Sequence, residues 1–142
     1  MLNAVDHIGI AVANIDDAME LYRRIFAVSE FHRETVDEQG VHIASFTVGG
    51  VRIELTAPSR PDSPIATFLA KRGEGIHHVA FRTDAITADL QRLQDQDIRL
   101  INTTPQPGAH NMQIAFLHPK STGGVLMELC APASPSPSSP LE

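Results

Sequence analysis

GGVRIELTAP, residues 49–58, returns at residues 123–132 as GGVLMELCAP, with seven of ten positions identical. Such self-similarity is the mark of an internal duplication and has to be settled before any local assignment. A second pair agrees with the first: VDHIGIAVANIDDAMEL from Val5 and HHVAFRTDAITADLQRL from His77 align so that His7 stands opposite His78. The offsets are 123 − 49 = 74 and 78 − 7 = 71. One loop of unequal length accounts for the difference, so the halves are whole units of about 70 residues rather than short stacked repeats.

Each half reads as strand, helix, then several strands. Residues 5–12 alternate Ile8, Ile10, Val12 with His7, Gly9, Ala11, the period of a half-buried strand. Ile15, Ala18, Met19, Tyr22 and Ile25 then recur at helical spacing behind Asn14, a capping residue. In the second half Asp84 is placed to cap a helix with the stripe Ile86, Leu90, Leu93. Residues 31–36, 41–48 and 51–57 are expected strands of the first unit, and 99–103, 112–117 and 125–129 of the second. Between them, Asp62 or Ser63, Pro64 and Gly73 bracket a short linking helix. The expected fold class is α+β: module 1 over 1–60, linker 61–73, module 2 over 74–130, one domain in all. APASPSPSSPLE, 131–142, has too little apolar surface to fold and is expected to be a disordered tail.

Strand parity selects the side chains that can meet. His7 shares a face with Gly9 and Ala11, and His78 with Ala80, while His77 is expected on the other face. Glu54 and Glu128 each oppose the aliphatic row of their own strand. Four such residues, at equivalent positions of a repeat, suit a divalent metal with mixed nitrogen and oxygen ligands; cobalt, manganese, nickel and zinc are all admissible. A lone strand histidine or glutamate is more often structural, so the pairing of His with His and Glu with Glu carries the inference.

A formal charge of −6 and an aromatic content of 5% argue against a nucleic-acid partner. One cysteine, Cys130, excludes an intrachain disulfide and fits a reducing compartment. The N-terminal stretch has no basic segment followed by an apolar run, and no stretch reaches the roughly 18 apolar residues of a membrane helix, so a cytoplasmic, soluble chain is expected.

The segments DHIGIAV, VRIELTAPSRPDSPIATFLAKRGEGIHHVAF and GAHNMQIAFLHPKSTGGVLMELC resemble the vicinal oxygen chelate superfamily and, within it, the methylmalonyl-CoA epimerase family. The DSPIA linker, the GEGIHH opening of the second half and the FLHPK…GGVLMEL ending are the specific parts. The resemblance implies a partly open, cup-shaped mixed β barrel of two βαβββ modules, a homodimer, and metal on the concave side held by His7, His78 and Glu128, with position 54 completing the set. It implies an acyl-CoA substrate whose C2 hydrogen is removed and redelivered through an enediolate, interconverting (2R)- and (2S)-methylmalonyl-CoA. Glu54 and Glu128 are the expected acid/base pair, with water or another group as the alternative to Glu54, and cobalt is the foremost metal. Some bacterial relatives have a glutamate as sixth residue of a stretch beginning EQGV, with glutamine at the position of Glu54; here Ile43 stands there.

Lys120 and Arg72 are candidates for CoA phosphates, and His110 and His118 for orienting substrate or ligands; a solvated cation or a loop cap is the ordinary alternative for each. The competing functions are a glyoxalase I-like lactoylglutathione lyase and a metal-free small-molecule-binding protein of the same fold.

Overall fold

The computed structural model describes residues 1–133. Module 1 runs β1 (Leu2–Ala11), α1 (Ile15–Phe26), β2 (His32–Val36), β3 (Val41–Val48) and β4 (Val51–Pro58). A linking helix, α2 (Pro64–Arg72), leads to β5 (Gly75–Thr83), α3 (Ile86–Asp95), β6 (Gln106–Gly108), β7 (Met112–Phe116) and β8 (Met127–Pro132). Asn14 caps α1 by accepting the Asp17 N–H, with Asp16 and Asp17 in its positive first turn and Arg23 and Arg24 in its last. Ser63 caps α2 in the same way, ahead of Pro64.

All eight strands join one mixed sheet in the order β2-β3-β4-β1-β5-β8-β7-β6. Its centre is the antiparallel β1–β5 pair, one strand from each module, flanked by parallel pairings of β1 with β4 and β5 with β8. The sheet curls into a nearly closed barrel. Its two edge regions meet where the His110 N–H, just beyond β6, donates to Glu34 of β2 at 3.0 Å.

Two cores lie outside the curl. Ile53, Leu55 and Ala57 of β4 pack with Ile10 and Val12 against Ala18, Met19 and Tyr22 of α1. The equivalent core places Leu129, Ala131 and Ala115 against Ile86 and Leu90 of α3. Leu55 and Leu129, at 0% and 1% exposure, each contribute roughly 1.5–3 kcal/mol of burial. The aliphatic rows therefore face the helices, leaving the alternate residues to the concave side.

Four expectations change. Residues 99–103 form no strand; Leu100 makes one bridge to Leu117, and the module's short edge strand is β6 instead. Pro105 and Pro107 lack the N–H groups that a longer ladder would need. Asp84 does not cap α3, whose N-cap is Ala85 without a side-chain bond; the Asp84 carboxylate accepts from the N-terminal amine of Met1 at 3.2 Å. The third change concerns residues 125–129: β8 begins two residues later and takes in Ala131 and Pro132, expected in the tail, with Ala131 buried opposite Gln113. The rest of that tail, 134–142, lies outside the described residues. The fourth, at His77, belongs to the site. Among the described residues no helix is long and apolar enough to cross a membrane.

Candidate active site

Two rows of residues cross the middle of the sheet. In one, Ser45, Glu54, Gly9 and His78 are register neighbours on β3, β4, β1 and β5. In the other, His7, Ala80, Glu128 and Phe116 are neighbours on β1, β5, β8 and β7. Each module thus contributes a histidine from its first strand and a glutamate from its last, and a small residue, Gly9 or Ala80, stands between the histidine of one module and the glutamate of the other.

The four side chains converge and are buried, between 3% and 8% exposed. His7 Nε2 lies 3.1 Å from His78 Nε2, 3.0 Å from Glu128 Oε2 and 3.5 Å from Glu54 Oε1; His78 Nε2 lies 3.6 Å from Glu128 Oε1. For bonds of about 2.1 Å, ligands at right angles around one ion stand about 3 Å apart, close to the separation of the two imidazole nitrogens. Glu128 Oε2 is a buried oxygen without a hydrogen-bond partner. Two imidazoles, two carboxylates and an unsatisfied anionic oxygen fit a borderline divalent cation.

Bulges set what stands behind the ligands. Along the β1–β5 pair, Val5 faces Phe81 and His7 faces Ala80, so Asp6 is an extra residue on β1; Gly9 faces His78 and Ile10 faces Ile76, so His77 is an extra residue on β5. The two are equivalent, since 77 − 6 = 71, the offset between His7 and His78. Asp6 Oδ2 accepts from His7 Nδ1 at 2.7 Å, and His77 Nδ1 lies 2.9 Å from His78 Nδ1. The expectation that His77 faces away from the cleft is thereby corrected: the bulge breaks the alternation, and His77 lines the cavity beside His78.

Asp6 is held by three cationic partners. Arg52 reaches it at 2.8 Å and Arg82 at 2.7 Å, besides His7. Burial opposes its charge, but these partners hold its carboxyl well below the usual range. Arg52 Nε also donates to Glu54 Oε2 at 2.9 Å, which fixes that carboxylate. Burial works against a charged His7, yet Asp6, Cys130 and Glu128 outweigh it and raise the imidazole to about 12. Burial pushes His78 and His77 down to about 4. His7 is therefore the charged ring of the group, and His78 and His77 are the neutral ones.

The centre opens into a cavity of about 390 Å3 with an apolar wall from Val41, Ile43, Met112, Ile114 and Phe116. Ile43 is buried among Ala11, Val36 and Ile65, so no carboxylate arises from that position. His110 comes near by another route. It sits in the left-handed region at φ 58°, with Nε2 3.2 Å from Ser45 Oγ and 3.7 Å from Glu54 Oε2. Lys120, Arg72 and His118 do not line the cavity. Arg72 lies over the Phe68 ring, and the His118 side chain accepts the Lys120 N–H within its own turn. Cys130 is fully buried, with its thiol pushed up by burial and directed at the Phe81 carbonyl. Asp6 and Arg52 carry no motif of their own in the sequence, and His77 is expected there on the wrong face; the available signal is that Asp6 and His77 each precede a ligand-type histidine.

A family profile described as "Glyoxalase/Bleomycin resistance protein/Dioxygenase superfamily" matches residues 6–116. A Bacillus subtilis relative, the uncharacterized protein YqjC, is 46% identical over 92% of this chain and 94% of its own. The mitochondrial methylmalonyl-CoA epimerase of Homo sapiens is 36% identical over 90% of this chain and 73% of that protein. A solved methylmalonyl-CoA epimerase in complex with methylmalonyl-CoA and NH4+ superposes with a TM-score of 0.87 at 39% identity, covering 94% of this chain and 97% of the other. With a two-module barrel, converging histidines and glutamates and these relatives, the chain belongs to the glyoxalase/bleomycin-resistance (vicinal oxygen chelate) superfamily, among proteins named methylmalonyl-CoA epimerase.

Proposed function

We propose that the protein is a metal-dependent methylmalonyl-CoA epimerase, with His7, Glu54, His78 and Glu128 as ligands to a divalent cation, cobalt foremost, and a homodimeric, cytoplasmic assembly. The observation that carries this reading is the buried Glu128 Oε2, without a hydrogen-bond partner and 3.0 Å from His7 Nε2. The charged His7 ring is its close neighbour but makes no aligned hydrogen bond to it, and a buried carboxylate so held is incompletely compensated until a cation or a substrate proton completes it. Relatives that act on methylmalonyl-CoA at 36–39% identity support the substrate class.

The cation, when bound, supplies a Lewis acid that makes the hydrogen between thioester and carboxylate more acidic. The remaining work falls to the chain. Glu54 Oε1 and Glu128 Oε2 approach His7 Nε2 from different strands of the duplicated sheet, so a substrate carbon held between them meets a carboxylate on either side. For this, one glutamate starts as the carboxylate, turned off the cation, and takes the C2 proton, while the other starts as the carboxylic acid and gives its proton to the opposite face; the centre inverts and the pair is left with its protonation exchanged, which suits it to the other epimer. Asp6, through Nδ1 of His7, and His77, through Nδ1 of His78, orient the rings so that both Nε2 atoms face inward. The apolar wall from Ile43 to Phe116 keeps water away from the reacting carbon.

Proton NMR of methylmalonyl-CoA in deuterated water tests the assignment. Cobalt-loaded protein should erase the C2 hydrogen signal faster than spontaneous exchange, metal-stripped protein should not, and Glu128→Ala should lose nearly all of the effect. Exchange at the spontaneous rate with cobalt-loaded wild type would sink it.

A further inference from the structure

A second cluster of donors lies at the seam of the barrel, beside the centre and joined to it by His110, whose Nε2 is 3.7 Å from Glu54 Oε2. His32 and Glu34 stand two residues apart on β2, so both project to one face of an edge strand. His110 reaches them from the turn after β6, at the other end of the sheet order. One donor atom from each of the three lies within 4.8 Å of the other two. His32 Nε2 is 3.3 Å from Glu34 Oε1, the His32 and His110 rings are 4.6 Å apart at their centroids, and Glu34 Oε1 accepts the His110 N–H. His110 holds a left-handed backbone conformation that this carboxylate fixes in place.

We infer that His32, Glu34 and His110 form a second divalent-cation site, of the zinc-binding class, that bridges the two edges of the sheet. Two imidazoles and one carboxylate with a side open to water are the donor set of an open tetrahedral zinc site. Magnesium and calcium, which favour all-oxygen ligands, fit it poorly. The His32 side chain is 57% exposed, so it can turn to bring its nitrogen to bonding distance without disturbing the core. An ion there ties β2 of the first module to the β6–β7 turn of the second, reinforcing the Glu34–His110 and Ser45–His110 hydrogen bonds that close the barrel.

The test counts zinc in the full chain by elemental mass spectrometry after equilibrium dialysis and follows zinc-dependent melting. Wild type should hold two ions, His32→Ala and Glu34→Gln one each. His78→Ala, which removes a central ligand, should also hold one and keep the seam-dependent rise in Tm. Failure of the central assignment would show as loss of no ion in His78→Ala. The seam site is overturned if His32→Ala and Glu34→Gln match wild type in both stoichiometry and zinc-induced Tm shift, or if wild type holds a single ion that only His78→Ala loses.

Discussion

The His78 imidazole lies across the backbone of Gly9: a Cβ placed on Gly9 would stand 2.1 Å from His78 Cε1 and 2.8 Å from Nε2. Gly9 and His78 are register neighbours on the two central strands, so the contact is built into the β1–β5 pairing. No conformational freedom of glycine is involved here; what matters is the missing methyl. Gly9→Ala is expected to fold but to displace His78, weakening cobalt binding by at least tenfold on the scale seen when ligand support is lost. Cobalt titration by visible absorption checks it, and an unaltered affinity would show that His78 is not held as a ligand.

The paired bulges at Asp6 and His77 give each inward histidine a partner on its Nδ1, but the partners differ: a carboxylate behind His7, an imidazole behind His78. A carboxylate strengthens a histidine as ligand more than a neutral ring does. Asp6→Asn should therefore lower cobalt affinity about 10–100-fold. His77→Gln, which keeps a hydrogen-bonding side chain, should cost less. Isothermal titration of the two variants ranks them, and a larger loss for His77→Gln would reverse the reasoning.

The duplication made the fold legible, since a match of 49–58 with 123–132 dictates equivalent strands without any propensity argument. It also paired His7 with His78 and Glu54 with Glu128, and the structure brings these four together. Parity failed where a residue was inserted: the alternation rule places His77 opposite His78, and a bulge is a property of two strands in register that neither strand reveals alone. Arg52 was hidden for a related reason. It is two residues from Glu54 and on the same face, but its role depends on Asp6, 46 positions away in sequence. Asp84 looked like a cap because sequence shows a residue's local options, not the amine of Met1 that competes for it.

The histidines also set a pH dependence for the metal-free protein. His78, His77 and His110 are each lowered by burial to about 4, so they are neutral in the fold while the unfolded chain takes up their protons near pH 6.5. The unfolded state then binds more protons, and stability falls as pH drops from 6 toward 4. His7 acts with the opposite sign. Raised to about 12, it contributes stability that is complete below its unfolded pKa and lost as pH climbs through the alkaline range. With three groups against one, and His7 saturated below pH 6, the unfolding free energy of chelator-treated protein, read from urea titrations, should fall from pH 6 to pH 5 by at least about 1 kcal/mol, and the midpoint with it. Equal midpoints would contradict the burial of these rings as neutral species. Cobalt binding should in addition release a proton from His7, visible as dependence of the binding heat on buffer ionisation.

Arg52 and Arg82 both pair with Asp6, yet they should not be equivalent. Arg52 has a side chain only 15% exposed and joins two buried carboxylates, Asp6 at 2.8 Å and Glu54 at 2.9 Å. Arg82 is 49% exposed and reaches Asp6 alone. At the position equivalent to Arg52 in the second module, 52 + 74 = 126, stands Leu126, so Glu128 has no such restraint. Removing Arg52 strands the Glu54 oxygen away from water and takes from Asp6 one of its three cationic partners, a loss of about 3–5 kcal/mol for a broken buried pair. Removing Arg82 leaves Asp6 still held by Arg52 and His7, and solvent screens part of the change, so about 1 kcal/mol is expected. Arg52→Leu and Arg82→Leu, compared by urea unfolding without metal, should separate by at least twofold. Arg52→Lys should recover little, because one ammonium cannot reproduce the two-headed contact of a guanidinium. Equal losses for the two leucine variants would mean that the Arg52–Glu54 contact does not restrain Glu54 and that the two glutamates stand on equal footing.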